Sequence, residues 1–212
     1  MKKYTKSIAM VVTGLACSAL TSTAALSPLT PGGAGVTPPA IGSLAGGTQV
    51  GTTLTSTYSF GSGADQGTIQ SLVYSGVTAN TLGGLTFAYI ITVTAGDISA
   101  VGLSTFPLAN ILVGTIAGGT ASSSADFTAG GTVNFHWVPS VLTAGTPTEV
   151  IVGTSATGYQ VGAAVPLDTY PGSVGVPAYV PVPEPTTVVA GALMLLPFGM
   201  GAIRSLRKDR TT

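Results

Sequence analysis

The central part of the chain alternates between apolar and polar side chains with a period of two residues. In the segment TFAYIITVT, at residues 86–94, Phe87, Tyr89, Ile91 and Val93 share one face of an extended chain. Successive side chains of a β-strand point to opposite faces, so the segment predicts a strand with one buried face.

Runs of the same type recur between residues 48 and 170. They are TLTSTYSF, TIQSLVYSGV, NILVGTI, SSADF, TVNFHWV and TEVIVGT. Turns between them are marked by Gly-Gly pairs at 83–84, 118–119 and 130–131 and by prolines at 107, 139 and 147. Because no amphipathic helix interrupts the pattern, the sequence predicts an all-β fold, an antiparallel β-sandwich over residues 48–170. A β-helix is the competing architecture, although no fixed repeat period supports it.

The segments on either side of this domain, residues 26–47 and 171–181, are rich in proline and glycine. Such composition is typical of flexible linkers, so the sequence predicts one linker on each side. The second linker runs into VPVPEP at residues 180–185, where every other residue is proline. Proline fixes φ and disfavours helix at the residue before it, which predicts an extended, unpaired segment.

Charged side chains make up only 7% of the 212 residues, and the basic ones lie at the two ends. Every Lys and Arg falls within residues 2–6 or 204–210. Nucleic-acid binding depends on Lys and Arg that neutralise phosphates, so nucleic acid is excluded as a partner. The only cysteine, Cys17, lies in the N-terminal apolar stretch, so disulfides and thiolate catalysis are excluded for a processed chain.

Residues 1–25 have a basic start, an apolar centre and a small-residue exit, which together predict a helical secretory signal peptide. The small residues allow a cut after Ala24, with Ser22 two residues before it, or after Ala25. Signal peptidase and the general secretion machinery are therefore expected partners. Cys17 raises a lipoprotein alternative, which Gly14 weakens because it stands where a bulky apolar residue is usual.

The C-terminal region contains an apolar stretch at residues 186–203 that predicts a transmembrane helix. Its 18 residues would extend about 27 Å as a helix, close to the roughly 30 Å hydrocarbon core of a bilayer. Pro197 predicts a kink within it. The basic residues that follow keep the C-terminus cytoplasmic by the positive-inside rule, and they are Arg204, Arg207, Lys208 and Arg210.

The end of the chain, residues 182–210, resembles a known sorting signal. Val182-Pro183-Glu184-Pro185-Thr186, an apolar run and an Arg-rich tail, in that order, are similar to the PEP-CTERM signal of Gram-negative bacteria, also catalogued as an ice-binding-protein C-terminal domain. The resemblance implies recognition by an exosortase, a membrane protease-transpeptidase, and association with exopolysaccharide and biofilm envelopes. It also implies that Pro183, Glu184 and Pro185 are read by that enzyme and carry no catalysis of this chain.

Few residues of the predicted domain suggest chemistry of its own. His136, the only histidine, is predicted to face outward with Asn134, whereas Trp137 is predicted to share the core with Phe135 and Val133. The carboxylates are scattered singly and lack the spacing of a calcium loop, and they are Asp65, Asp97, Asp126, Glu149 and Asp168. No catalytic residue, cofactor or metal is predicted.

Several aromatic residues raise a carbohydrate-binding hypothesis, because exposed rings stack on sugars. They are Trp137, Tyr58, Tyr74, Tyr159 and Tyr170. The alternative is that most of them fill the core.

The leading hypothesis is therefore an exported, non-enzymatic protein that crosses the inner membrane and is sorted by exosortase to the cell envelope, surface or matrix. The first alternative is a carbohydrate-binding or adhesive surface module. The second alternative is a glycan hydrolase with paired carboxylates. This function requires two carboxylates roughly 5 to 10 Å apart in a cleft.

Overall fold

The computed structural model describes residues 24–104, 106, 110–167 and 173–182. Within these ranges the regular elements are strands, apart from one short 3-10 turn at Gly61–Gly63. No helix in the described ranges is long and apolar enough to cross a membrane. The predicted transmembrane segment 186–203 and the signal peptide up to residue 23 lie outside the described residues. The prediction of an all-β fold is confirmed for the described chain.

The described strands are numbered in chain order. They are β1 (Ser27–Leu29), β2 (Ala40–Ile41), β3 (Thr48–Gln49), β4 (Leu54–Phe60), β5 (Asp65–Ser75), β6 (Thr86–Ala95), β7 (Asp97–Ile98), β8 (Ala100–Leu103), β9 (Ile111–Ile116), β10 (Ser124–Phe127), β11 (Val133–His136), β12 (Leu142–Thr143), β13 (Thr148–Gly153), β14 (Tyr159–Leu167) and β15 (Val176–Pro181).

Two main sheets and one small ribbon contain these strands. The larger sheet has the order β1-β9-β13-β6-β5-β3, with β2 paired to β9 and β4 paired to β5. The smaller sheet has the order β10-β11-β8-β14-β15, and β7 pairs with β12 separately. Pairing between the numbered strands is antiparallel except for the short parallel contact of β2 with β9.

The inner faces of the two main sheets share one hydrophobic cluster. From the larger sheet, Phe87, Tyr89, Ile91 and Val93 of β6 are each at most 3% exposed, which confirms the face predicted from their alternation. Phe135 of the smaller sheet belongs to the same cluster. Each such side chain stabilises the fold by about 1.5–3 kcal/mol when it is fully buried, so this shared cluster holds the sheets together.

The N-terminal segment is not the linker that its composition predicts. It carries β1 and β2. Its buried Leu26 and Ile41 pack against Leu112 and Ile151 on the outer face of the larger sheet. Gly114 makes this contact feasible, because a Cβ there would lie only 2.5 Å from Cδ2 of Leu26. The linker prediction failed because a few well-placed apolar side chains anchor a segment that otherwise consists of turn formers.

The second predicted linker contains β15, the edge strand of the smaller sheet. It is extended, as its prolines predict, but it is not unpaired, since it pairs with β14 from Tyr159↔Pro181 to Ala164↔Val176. Its opposite edge is bound by side chains of the larger sheet. Ser56 Oγ donates to Pro177 O at 2.7 Å, Tyr89 Oη donates to Tyr179 O at 2.6 Å, and Tyr179 N donates to Ser71 Oγ at 2.9 Å.

We call these three hydrogen bonds the β15 latch. Ser56, Ser71 and Tyr89 are all buried, so the strand satisfies polar groups that would otherwise lie unpaired between the sheets. Burial also raises the pKa of the Tyr89 phenol well above its ordinary value, which keeps it a neutral donor. The latch therefore makes β15 part of the folded domain.

Candidate functional site

The proposed sorting motif begins where β15 ends. Pro181 is buried and paired, and the backbone N–H of Val182 donates to Gly158 O at 3.1 Å. Val182 is 36% exposed and is the last described residue. Pro183, Glu184, Pro185 and Thr186 lie outside the described residues, as do the basic residues of the C-terminal tail. The motif therefore follows the folded domain directly, with no free linker before it.

The predicted signal-peptide cleavage region adjoins the fold in the same way. Ser22 lies outside the described residues, Ala24 is half-buried and Ala25 is exposed. Leu26, the next residue, is only 5% exposed and belongs to the packed cover of the larger sheet.

The outer face of the smaller sheet carries one cluster of polar side chains. Asp126 of β10 lies opposite Asn134 of β11, and its Oδ1 accepts a hydrogen bond from Asn134 Nδ2 at 2.9 Å. Its Oδ2 lies 2.5 Å from His136 Nε2. His136 faces outward as predicted, but its partner was not predicted. The sequence feature that could have indicated the pair is the Gly130-Gly131 turn, because this turn joins β10 and β11 in an antiparallel hairpin.

This cluster orients the imidazole of His136. Asp126 and His136 are each 34% exposed, so water screens their attraction. Ser123 Oγ donates to the backbone carbonyl of His136, and no hydroxyl bonds the imidazole within the described ranges. In the same part of the chain, no group of three potential metal ligands comes together. The arrangement fits a polar pair that stabilises the β10–β11 hairpin.

The remaining described carboxylates lie in different surroundings. Asp65 is 7% exposed, and its Oδ1 accepts a hydrogen bond from the backbone N–H of Asp97 at 3.2 Å. Glu149 lies on β13, on the outer side of the larger sheet, where burial raises the pKa of its carboxyl group. Asp168 lies outside the described residues. Asp65 thus holds the backbone of the β6–β7 turn, whereas Glu149 is half-buried on another surface.

The aromatic residues do not form one exposed row. Trp137 is fully buried, as predicted, and its Nε1 donates to Thr120 O at 3.0 Å. Tyr58 is also buried, while Tyr74 is half-buried. Tyr159 packs edge-to-face on Tyr179, with ring centroids 5.0 Å apart. Tyr170 lies outside the described residues.

A pocket of about 480 Å³ lies at the end of the larger sheet where β4, β5 and β6 meet the segment before β15. We call it the hydroxyl pocket, and its lining residues are Thr57, Tyr58, Ser59, Gln66, Gly67, Thr68, Thr94 and Val174. Thr57, Ser59, Gln66 and Thr94 are exposed, so their polar groups are available to a ligand. The pocket could not be predicted from the sequence, because its residues come from three strands and a distant segment.

A β-bulge shapes the hydroxyl pocket. The register of β5 and β6 shifts between Gln66 and Gly67. A Cβ at Gly67 would collide with the carbonyl oxygen of Thr92 and with the hydroxyl of Tyr58. Glycine therefore lets the Tyr58 ring lie directly against the β5 backbone at the bulge.

The hydroxyl of Tyr58 is buried and makes no hydrogen bond within the described structure. Burial raises its pKa to about 12, with a smaller contribution from the nearby Asp65 carboxylate. Because this oxygen is closed off from solvent, it is an unsatisfied polar atom of the core, and such an atom costs about 1–3 kcal/mol.

Comparisons of the chain with protein-family models, with curated proteins and with solved structures gave no significant match. The resemblance of residues 182–210 to a sorting signal therefore stands on those residues themselves.

Proposed function

We propose that this chain is an exported, non-enzymatic protein of the cell envelope or extracellular matrix, sorted by an exosortase through its Pro-Glu-Pro segment. Its described part is proposed to be a β-sandwich, which agrees with two antiparallel sheets around a shared core. The inner membrane is the site of transit, and exopolysaccharide is the proposed surrounding of the sorted product.

One observation carries the proposal. The domain ends in a latched, paired strand, and the motif follows it immediately after Val182. From Val182 to Thr186 the chain can extend at most about 14 Å, at 3.3–3.6 Å per residue. A membrane segment beginning at residue 186 would therefore hold the folded domain beside the bilayer and place the Pro-Glu-Pro between them. This is where a membrane-embedded processing enzyme can reach it.

The charge distribution supports the same topology. All basic residues lie near the two ends, and the residues between them carry no Lys or Arg. Basic residues next to an apolar stretch stay on the cytoplasmic side, so both ends would begin inside while the β-domain is translocated.

The test is the mass of the protein recovered from envelope and culture fractions of the host. Replacement of Pro183, Glu184 and Pro185 by Ala should leave the C-terminal segment attached and the protein in the inner membrane. Pro177→Ala is the matched control, because Pro177 is an exposed proline of β15 outside the motif, and this variant should be processed normally. Normal processing of the triple variant, or of the wild type in a strain without exosortase, would overturn the sorting proposal.

A further inference from the structure

The hydroxyl pocket combines features of a ligand site with a specific chemical character. Its volume of about 480 Å³ lies within the roughly 300–1,000 Å³ range of small-molecule sites. Its lining offers the hydroxyls of Thr57, Ser59, Thr68 and Thr94, together with one amide. Hydroxyls both donate and accept hydrogen bonds, which matches them to a ligand that does the same.

The side-chain amide of Gln66 is also available to a ligand. Its Nε2 donates to Gly63 O at 2.7 Å, which fixes the amide and leaves its carbonyl oxygen and second N–H for another partner. The Tyr58 hydroxyl is closed off from solvent, so Tyr58 contributes to the pocket wall without binding a ligand through its hydroxyl. A polyhydroxylated molecule in the pocket would supply the partner that Gln66 lacks.

The electrostatics disfavour a negatively charged ligand. The lining residues carry no charge, and the sequence has no Lys or Arg between residues 7 and 203 that could attract an anion. The Asp65 carboxylate lies close enough to Tyr58 to contribute to its raised pKa. A negatively charged sugar would therefore be repelled, while a neutral one would not.

We propose that the hydroxyl pocket binds a neutral sugar unit of an oligosaccharide or polysaccharide chain. Thr57, Ser59, Thr68, Thr94 and Gln66 bind the sugar hydroxyls, and the bulge at Gly67 lets the Tyr58 ring form part of the wall. Thr57 and Thr94 in its lining are exposed to solvent, so a longer glycan can continue beyond the pocket. This inference goes beyond the sorting proposal, and neither depends on the other.

The experiment titrates the full-length chain with cellotetraose, a neutral oligosaccharide, and with tetragalacturonate, a negatively charged one of similar length. Binding is measured by calorimetry and by the chemical shifts of labelled threonine methyl groups. Thr57→Val and Thr68→Val each remove one hydroxyl while keeping the shape of the side chain. One neutral hydrogen bond contributes about 0.5–1.5 kcal/mol, so each variant should bind cellotetraose roughly two- to tenfold more weakly.

Thr55→Val is the matched control, since Thr55 is also an exposed threonine of β4 but does not line the hydroxyl pocket. It should bind as the wild type does. The proposal is overturned if cellotetraose shows no saturable binding, if tetragalacturonate binds equally well, or if Thr55→Val weakens binding as much as Thr57→Val. A processing defect of the Pro-Glu-Pro variant leaves this titration unchanged, so the two proposals fail separately.

Discussion

Tyr58 and Tyr89 form a natural pair for testing the energetics of the core. Both phenols are buried, but in the described structure only Tyr89 uses its hydroxyl, in the β15 latch. Tyr89→Phe removes the donor to the carbonyl of Tyr179 and should cost about 1–3 kcal/mol of unfolding free energy. Tyr58→Phe removes an unpaired hydroxyl, so at neutral pH it should leave stability unchanged or raise it by up to about 1 kcal/mol.

At alkaline pH, the unfolding free energies of the wild type and of Tyr58→Phe should differ further. Burial, with a smaller effect of Asp65, raises the pKa of Tyr58 from 10.0 to about 12 in the folded protein. The folded state thus disfavours the tyrosinate, so this contribution to stability is complete below pH 10 and is lost as the pH rises through about 12. A difference of about two pKa units corresponds to about 3 kcal/mol. The variant Tyr58→Phe should not lose this part of its stability at alkaline pH. The loss of stability due to ionisation of Tyr89 should occur in both proteins.

The assay is urea denaturation of the full-length chain at neutral pH and at several values between about pH 10 and about pH 12. Fluorescence of Trp137 follows unfolding, because it is the only tryptophan in the sequence and is fully buried. Two results would refute the reasoning. One is a neutral-pH loss in Tyr58→Phe as large as that in Tyr89→Phe, and the other is a parallel alkaline loss in Tyr58→Phe and the wild type.

Three further predictions concern other polar groups. Ser71→Ala breaks the β15 latch, so it should lower stability by about 1–3 kcal/mol and speed proteolysis within residues 173–182. The control Ser75→Ala should do neither, and equal proteolysis of the two variants would contradict this prediction. A double-mutant cycle of Asp126→Asn and His136→Gln should give a coupling of about 0.2–1 kcal/mol, and zero coupling would show that the pair does not stabilise the hairpin. Burial raises the folded-state pKa of Glu149, so its ionised form opposes folding and Glu149→Gln should be more stable than the wild type at neutral pH. That advantage should disappear as the pH falls below the ordinary carboxyl pKa of 4.5, and an advantage independent of pH would point to another cause.

The strands with clear alternation could be predicted from the sequence, and the strands of small residues could not. β6 places Phe87 and Tyr89 in register with the period of two, and its buried face was predicted correctly. β8 and β14 were missed, since AVGL and YQVGAAVPL contain glycine, alanine and proline and lack polar residues at alternate positions. Their strand conformation is set by pairing with neighbours, which is a tertiary effect that local sequence does not encode.

The same limit applies to the sites. The outward direction of His136 followed from its position between Phe135 and Trp137, but its contact with Asp126 depends on hairpin register. The hydroxyl pocket depends on the β-bulge at Gly67, and a lone glycine in a strand pattern suggests a bulge without locating its partner. The β15 latch joins residues 121, 90 and 108 positions apart in the chain, which no local pattern could indicate.

For the predicted signal peptide, the packing of Leu26 also bears on which of the two candidate peptide bonds would be cut. Cleavage after Ala25 would put the new α-ammonium group on Leu26, which is 5% exposed in the niche beside Gly114. A charge beside this apolar contact is less well hydrated than a charge on the exposed Ala25, so that product would have a less stable cover on the larger sheet. Cleavage after Ala24 puts the ammonium group on the exposed Ala25 and leaves the niche filled. The fold therefore favours a mature protein that begins at Ala25, a difference of one alanine that intact-mass measurement resolves.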